Sequence, residues 1–274
     1  MTEGSADHST VSAGTTYYPW ECLATAVRFL TRVPVPDGMN RSPAQYAESL
    51  RRSVVYFPFV GGLVGLFTAA VMLVSISLGT SPMLGAFIAL GLEAMLTGAL
   101  HEDAFADTCD ALGGGWTRER VLEIMKCSQL GTFGVVALVV GLGARAAAMV
   151  AISEHGRLWT IASIVAAASV GRLAMLCMMV TTQPIPDGSS LTKCVAGTQN
   201  VRSVLVALCI SSPFWAGWLV LGSTAACASL AAAVAALYWF RRKILKVLNG
   251  TTGDVLGCSA FLTQLVLLIG ASLK

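Results

Sequence analysis

Charge is scarce in this sequence. Only 12% of its 274 residues are Asp, Glu, Lys or Arg, against about 25% in soluble globular domains. So few charges cannot clothe an ordinary water-facing surface, and a soluble fold of the usual kind is excluded. Runs of Lys and Arg with interleaved aromatics are absent too, and the net charge is only +3. Nucleic acid is therefore not an expected partner. The eight cysteines (Cys22, Cys109, Cys127, Cys177, Cys194, Cys209, Cys227 and Cys258) include no C-x-x-C pair. Most lie in or beside apolar runs, where Cys behaves as a small hydrophobe rather than as part of a disulfide framework or zinc site. The polar stretch Met1–Thr16 lacks the basic-then-apolar order of a signal peptide and reads as a disordered tail.

Apolar residues, by contrast, make up 55% of the chain, and the mean hydropathy of +0.71 suits a bilayer solvent. The length admits six to eight spans of about 20 residues each. Candidate spans are Val54–Gly79, Met83–Leu100, Phe133–Ile152, Leu158–Val180, Ser203–Gly222, Ser223–Phe240 and Val255–Leu273. Tyr17–Val33 is too short and too charged to cross, with Glu21, Arg28 and Arg32, and reads as an interfacial or re-entrant helix ended by Val33-Pro34-Val35-Pro36-Asp37-Gly38. The expected fold is thus all-α: a polytopic transmembrane bundle of about seven spans, with residues 17–274 as a single integral membrane domain. Homo-oligomer formation stays open.

Polar segments remain at His101–Thr132, Thr181–Arg202 and Arg241–Asp254. With the N-terminus in the cytoplasm, these and the region before the first span hold fourteen Lys and Arg. The opposite side holds only Arg157 and Lys274, while Arg145 and Arg172 fall within spans. The positive-inside rule therefore predicts a multi-pass protein of a bacterial inner membrane with its N-terminus and its polar loops cytoplasmic.

One of those loops concentrates acid. Glu102, Asp103, Asp107 and Asp110 supply four of the fifteen acids within nine residues, just after His101. On a helix Asp103, Asp107 and Asp110 would share one face about a turn apart, a repulsive arrangement that a cation relieves. Oxygen ligands at a membrane face suit Mg²⁺, which typically uses one or two carboxylates together with substrate phosphates. A solvated acidic loop is the plainer alternative. Downstream, Gly113-Gly114-Gly115 gives a bend and Thr117 caps a short amphipathic helix ending near Lys126. Arg118, Arg120 and Lys126 suit phosphate or lipid headgroups equally. Asp254 lies where Asn249-Gly250-Thr251-Thr252-Gly253 enters the last span, as a ligand or as a helix cap. Arg145 and Arg172 serve function, or pair with Glu93 for structure alone. Metal-binding acids beside cations suit phosphoryl transfer.

The chain resembles the cobalamin-5′-phosphate synthase (adenosylcobinamide-GDP ribazoletransferase) family. The similarity runs from Phe29-Leu30-Thr31-Arg32-Val33-Pro34-Val35-Pro36 through Tyr56-Phe57-Pro58-Phe59-Val60-Gly61-Gly62 to the last span. Leu100-His101-Glu102-Asp103 and Ala106-Asp107-Thr108-Cys109-Asp110 are similar to the family's Leu-His-x-Asp-Gly-x-Ala-Asp-Thr-x-Asp-Gly segment, with Ala104 and Ala111 at its glycines. Further matches are Arg118-Glu119-Arg120, Ile124-Met125-Lys126, Gly131-Thr132-Phe133-Gly134, Gly171-Arg172 and Thr252-Gly253-Asp254-x-Leu256-Gly257. The resemblance implies an enzyme joining adenosylcobinamide-GDP and α-ribazole, or its 5′-phosphate, with release of GMP. It implies Mg²⁺ on Asp103, Asp107 and Asp110, with His101 taking the nucleophile's proton, binding phosphate or bracing the acids. Lys126, Arg172, Gly253 and Asp254 would bind substrate. The chain departs from the pattern at Cys127 and Gln129, where the family has Asp and Arg, and at Phe261 and Gln264, where acids are common; a divergent or inactive member is thus one alternative. A CDP-alcohol phosphatidyltransferase lacks its Asp-Gly-x-x-Ala-Arg signature here. A secondary transporter would use Glu93, Arg145 and Arg172 as a pathway.

Overall fold

The computed structural model describes residues 18–36, 42–127, 129–185, 195 and 198–274. The expected tail Met1–Thr16 lies outside them, as do Asp37, Gly38, Cys194 and two of the fourteen basic residues, Arg41 and Lys193. The helices are α1 (Pro19–Leu30), α2 (Pro43–Ser53), α3 (Phe57–Ser77), α4 (Pro82–Thr97), α5 (Leu100–Gly114), α6 (Arg118–Met125), α7 (Thr132–Glu154), α8 (Arg157–Thr181), α9 (Val201–Leu221), α10 (Ser223–Leu248) and α11 (Gly253–Ala271). The only strand-like pairing among the described residues is an isolated bridge between Pro184 and Thr251.

Each expected span has its helix, because each is an apolar run bounded by residues that start or stop helices. Ser81 caps α4 by accepting Leu84 N–H, with Pro82 next; Asn200 caps α9 and Thr252 caps α11. Among the described residues, six helical segments are long and apolar enough to cross a membrane. The exception is the expected span Met83–Leu100, where α4 has only 16 residues and meets α5 at a 93° bend. Gly98 and Ala99 cause it: both are left-handed, with φ of 70° and 56°, which ends the helical hydrogen-bond ladder. We read α4 and α5 together as one broken span.

That reading corrects the expected loop His101–Thr132. Most of it is helical, and α5 lies inside the bundle, running antiparallel to the first half of α7: Glu102 reaches Arg145 and Asp110 reaches Gly134. The triple glycine is not a free bend either. Gly113 closes the last turn of α5 under the Phe133 ring, which leaves no room for a Cβ, and the chain turns only at Gly115. As expected, Thr117 caps α6 and α1 is a short helix with Trp20 exposed and Ala26 and Leu30 buried.

Helix α8 is central, flanked by α3, α7, α9 and α11. Its small residues allow close approach: the α3 backbone at Gly61 and Gly65 lies on Ala168 and Val165, and Gly171 lies under the Ala260 carbonyl. The loops segregate to two faces. On one, Arg118 Nε donates to the Leu248 carbonyl (3.0 Å), Arg241 to the Thr181 carbonyl (2.8 Å) and Gln199 to the Arg51 carbonyl (2.9 Å). On the other, Trp159 Nε1 donates to the Ala271 carbonyl and Lys274 to the Leu221 carbonyl.

Candidate active site

At 3.6 residues per turn, α5 sorts its side chains onto two sides. Asp103, Asp107 and Asp110 fall on one face, as the spacing predicts. His101 points roughly 160° from Asp103, away from that face. Asp103 is exposed, Asp107 partly buried and Asp110 buried. Asp254 comes to the same group from α11, where it occupies the second helical position. Its position is not a cap, since Thr252 performs that task. The charges of Asp103, Asp254 and Asp110 bear on Asp107, and that of Asp103 on Asp254. Among the described residues, no Lys or Arg forms an ion pair with Asp103, Asp107 or Asp254.

Asp110 is differently engaged. One carboxylate oxygen accepts the Gly131 N–H and the other the Gly134 N–H, each at 2.7 Å. The carboxylate thus seals the N-terminus of α7, where orphan amides and the helix dipole favour an anion. A Cβ at Gly131 or Gly134 would collide with it. The Gly131-Thr132-Phe133-Gly134 motif is therefore the receiver for Asp110.

Beside Asp110 opens a cavity of about 430 Å³, lined also by Arg120, Glu123, Cys127, Gln129 and Phe133. Arg120 is the basic residue of α6 turned to it, paired with Glu123 at 2.7 Å. Arg118 is held by Leu248, and Lys126 is exposed at the end of α6 without lining the cavity. Gly253 is exposed at the first turn of α11.

His101 and Arg172 belong instead to a second, buried polar group. Arg145 bonds Glu93 of α4 and Glu102 of α5. Arg172 donates to Gln264 Oε1 (2.7 Å) and to the Ala168 carbonyl. Neither ring nitrogen of His101 finds a hydrogen-bond partner among the described residues. Sequence spacing missed Glu102 as a member of this group; its place on the opposite side of α5 from Asp107 was the available sign.

Among the described residues, no three His, Cys, Asp or Glu side chains close around a metal unaided. A closed site is not what Mg²⁺ requires, since it uses one or two protein carboxylates and completes its shell with water and phosphate. Asp103, Asp107 and Asp254 are unpaired oxygen donors, of which one or two would suffice for such a shared ion.

The family model of cobalamin-5-phosphate synthase matches residues 22–272. The chain belongs to this family. Its relatives include proteins named adenosylcobinamide-GDP ribazoletransferase. That of Rhizobium etli is 37% identical over 250 residues, covering 89% of this chain and 94% of its own. That of Bradyrhizobium diazoefficiens is 37% identical over 252 residues, covering 91% and 92%. No solved structure matches the chain. Its departures from the synthase pattern divide by place. Cys127 and Gln129 line the cavity, whereas Gln264 bonds Arg172 and Phe261 lies under the Arg145 guanidinium, 5.4 Å from it. Ala104, at a position where the pattern has glycine, packs against Gly257, whose missing side chain leaves it room.

Proposed function

We propose that this synthase uses the acid face of α5 to join adenosylcobinamide-GDP to α-ribazole, or to its 5′-phosphate, at the cytoplasmic side of a bacterial inner membrane. Asp103, Asp107 and Asp254 would hold Mg²⁺, which when bound would neutralise pyrophosphate charge and polarise the phosphorus under attack. A ribose hydroxyl attacks the phosphorus nearest the corrinoid, forming the new P–O bond as the bond to GMP breaks. Its proton passes to an acid-face carboxylate, the titratable side chains on that side of α5. Arg120 faces the cavity with a cation for phosphate, while Asp110 holds α7 and so fixes the cavity wall. His101, on the other side of α5, stays with the buried network in this scheme.

The observation that carries the proposal is the set of unpaired carboxylates that two helices bring together, with Asp107 about one helical turn along α5 from Asp110, which lines a cavity that also holds Arg120. The test is GMP release from adenosylcobinamide-GDP plus α-ribazole by the protein in nanodiscs, with Mg²⁺ and with chelator. Asp103→Asn and Asp107→Asn are each expected to lower turnover by at least about a hundredfold while leaving membrane insertion intact. Full activity in both would end the metal assignment, and substrate flux into liposomes without GMP release would favour a transporter.

A further inference from the structure

The two sharpest features of this bundle, the break at Gly98–Ala99 and the buried ions at its centre, meet at one side chain. Arg145 of α7 donates through Nη2 to both oxygens of Glu93 (2.9 and 3.0 Å) and through Nη1 to Glu102 Oε1 (3.1 Å). Glu93 lies on α4 and Glu102 on α5, so one guanidinium holds both arms of the bend. Glu93 is held further by the Thr68 hydroxyl of α3 (2.9 Å). From below, Phe261 of α11 faces the guanidinium and stacks on Phe105 of α5 at 4.3 Å. Arg145 and Glu93 are each only 2% exposed.

We infer that Arg145 is a positioning residue for the transfer reaction: it sets the angle of the α4–α5 bend and thereby where α5 presents Asp103 and Asp107. The left-handed backbone at Gly98 and Ala99 makes the bend, and contacts beyond it hold the two arms. α5 starts from a left-handed alanine with no side-chain cap at its N-terminus, so its first turn is held by tertiary contacts rather than by a cap. Besides its packing on α11, α5 has two polar attachments to α7, Glu102 to Arg145 at its first turn and Asp110 to Gly131 and Gly134 at its last. Asp103 and Asp107 stand between them. An interior ion pair often adds no more to stability than a well-packed apolar replacement, so its use here is to specify geometry, and the forked guanidinium is the side chain that can hold two carboxylates at once. Lysine would carry the same charge without the fork.

The inference rests on the acid face being the reacting site, and the experiment separates the two. Arg145→Lys and Glu102→Gln are compared with the wild-type protein in nanodiscs by GMP release as a function of Mg²⁺ and by amide hydrogen exchange. Misplacement of about 1 Å is enough for a hundredfold loss. Arg145→Lys is therefore expected to lower kcat by about that factor and to raise the Mg²⁺ concentration for half-maximal rate about tenfold. Exchange should quicken across residues 99–108 with α3 and α8 unchanged. The double variant Arg145→Lys/Glu102→Gln should be no worse than Arg145→Lys alone, since both remove one link. Wild-type Mg²⁺ dependence or wild-type exchange of α5 in Arg145→Lys overturns the inference, as does faster exchange spread evenly over the bundle. If Arg145→Lys fails to assemble, Glu102→Gln, which keeps the side-chain shape, is held to the same outcomes. If the wild-type protein releases no GMP, the functional reading fails and the exchange pattern alone decides the clamp.

Discussion

Both oxygens of Asp110 are taken by the backbone of α7, so its value to the protein is measured as stability before it is measured as rate. Hydrogen bonds to a charged acceptor contribute about 1.5–3 kcal/mol each. Asp110→Ala, which strips the α7 terminus of both, is expected to lower stability by about 3–6 kcal/mol in SDS or thermal unfolding of the micelle-bound protein. Asp110→Asn keeps one acceptor and should fall between that variant and wild type. In neither should the Mg²⁺ concentration for half-maximal GMP release shift in the folded fraction; a large shift would return Asp110 to the metal. The i, i+4, i+7 spacing showed that the three aspartates share a face, but not that one of them is already bound. Its partners lie more than twenty residues away and are backbone amides, which no side-chain motif displays. The same limit hid the pairing of Glu102 with Arg145, 43 residues apart.

At the scale of elements, apolar runs of membrane length were legible because the bilayer demands them, and their ends carried Ser, Thr, Asn and Pro signals. α5 was not legible as a bundle helix: its acid spacing suited one helix face, but four acids in nine residues placed the segment among the polar stretches between spans. Its contact with α11 gives a direct test of the packing. Ala104 faces Gly257 with no space for a second Cβ, so Gly257→Ala overpacks the pair and is expected to destabilise by about 1–3 kcal/mol. Ala104→Gly, which removes the opposing Cβ, should recover most of that loss in the double variant, and unfolding midpoints of the four proteins in the cycle measure it. Additive losses would mean that the two helices do not meet as described.

For the whole molecule, the count of crossings depends on the broken pair. With α4 and α5 crossing together, the chain passes the membrane seven times and its ends lie on opposite sides. With that pair turning back, it passes six times and both ends share a side. The segregation of charge favours seven: the loops around Arg51, Thr181, Leu248 and the start of α6 meet at one face, and the sequence places its basic residues overwhelmingly in those segments, leaving Arg157 and Lys274 opposite. Basic loops are retained in the cytoplasm, so Lys274 is expected outside. Alkaline phosphatase, which needs an oxidising compartment for its disulfides, should be active when fused after Lys274 and inactive when fused after Asn249, whereas green fluorescent protein should show the reverse. An active phosphatase at Asn249 would place the acid face outside the cytoplasm, away from nucleotide substrates. With the N-terminus in the cytoplasm, activity after Asn249 together with inactivity after Lys274 would mean that α4 and α5 do not cross, and the bend would then be a re-entrant turn rather than a broken span.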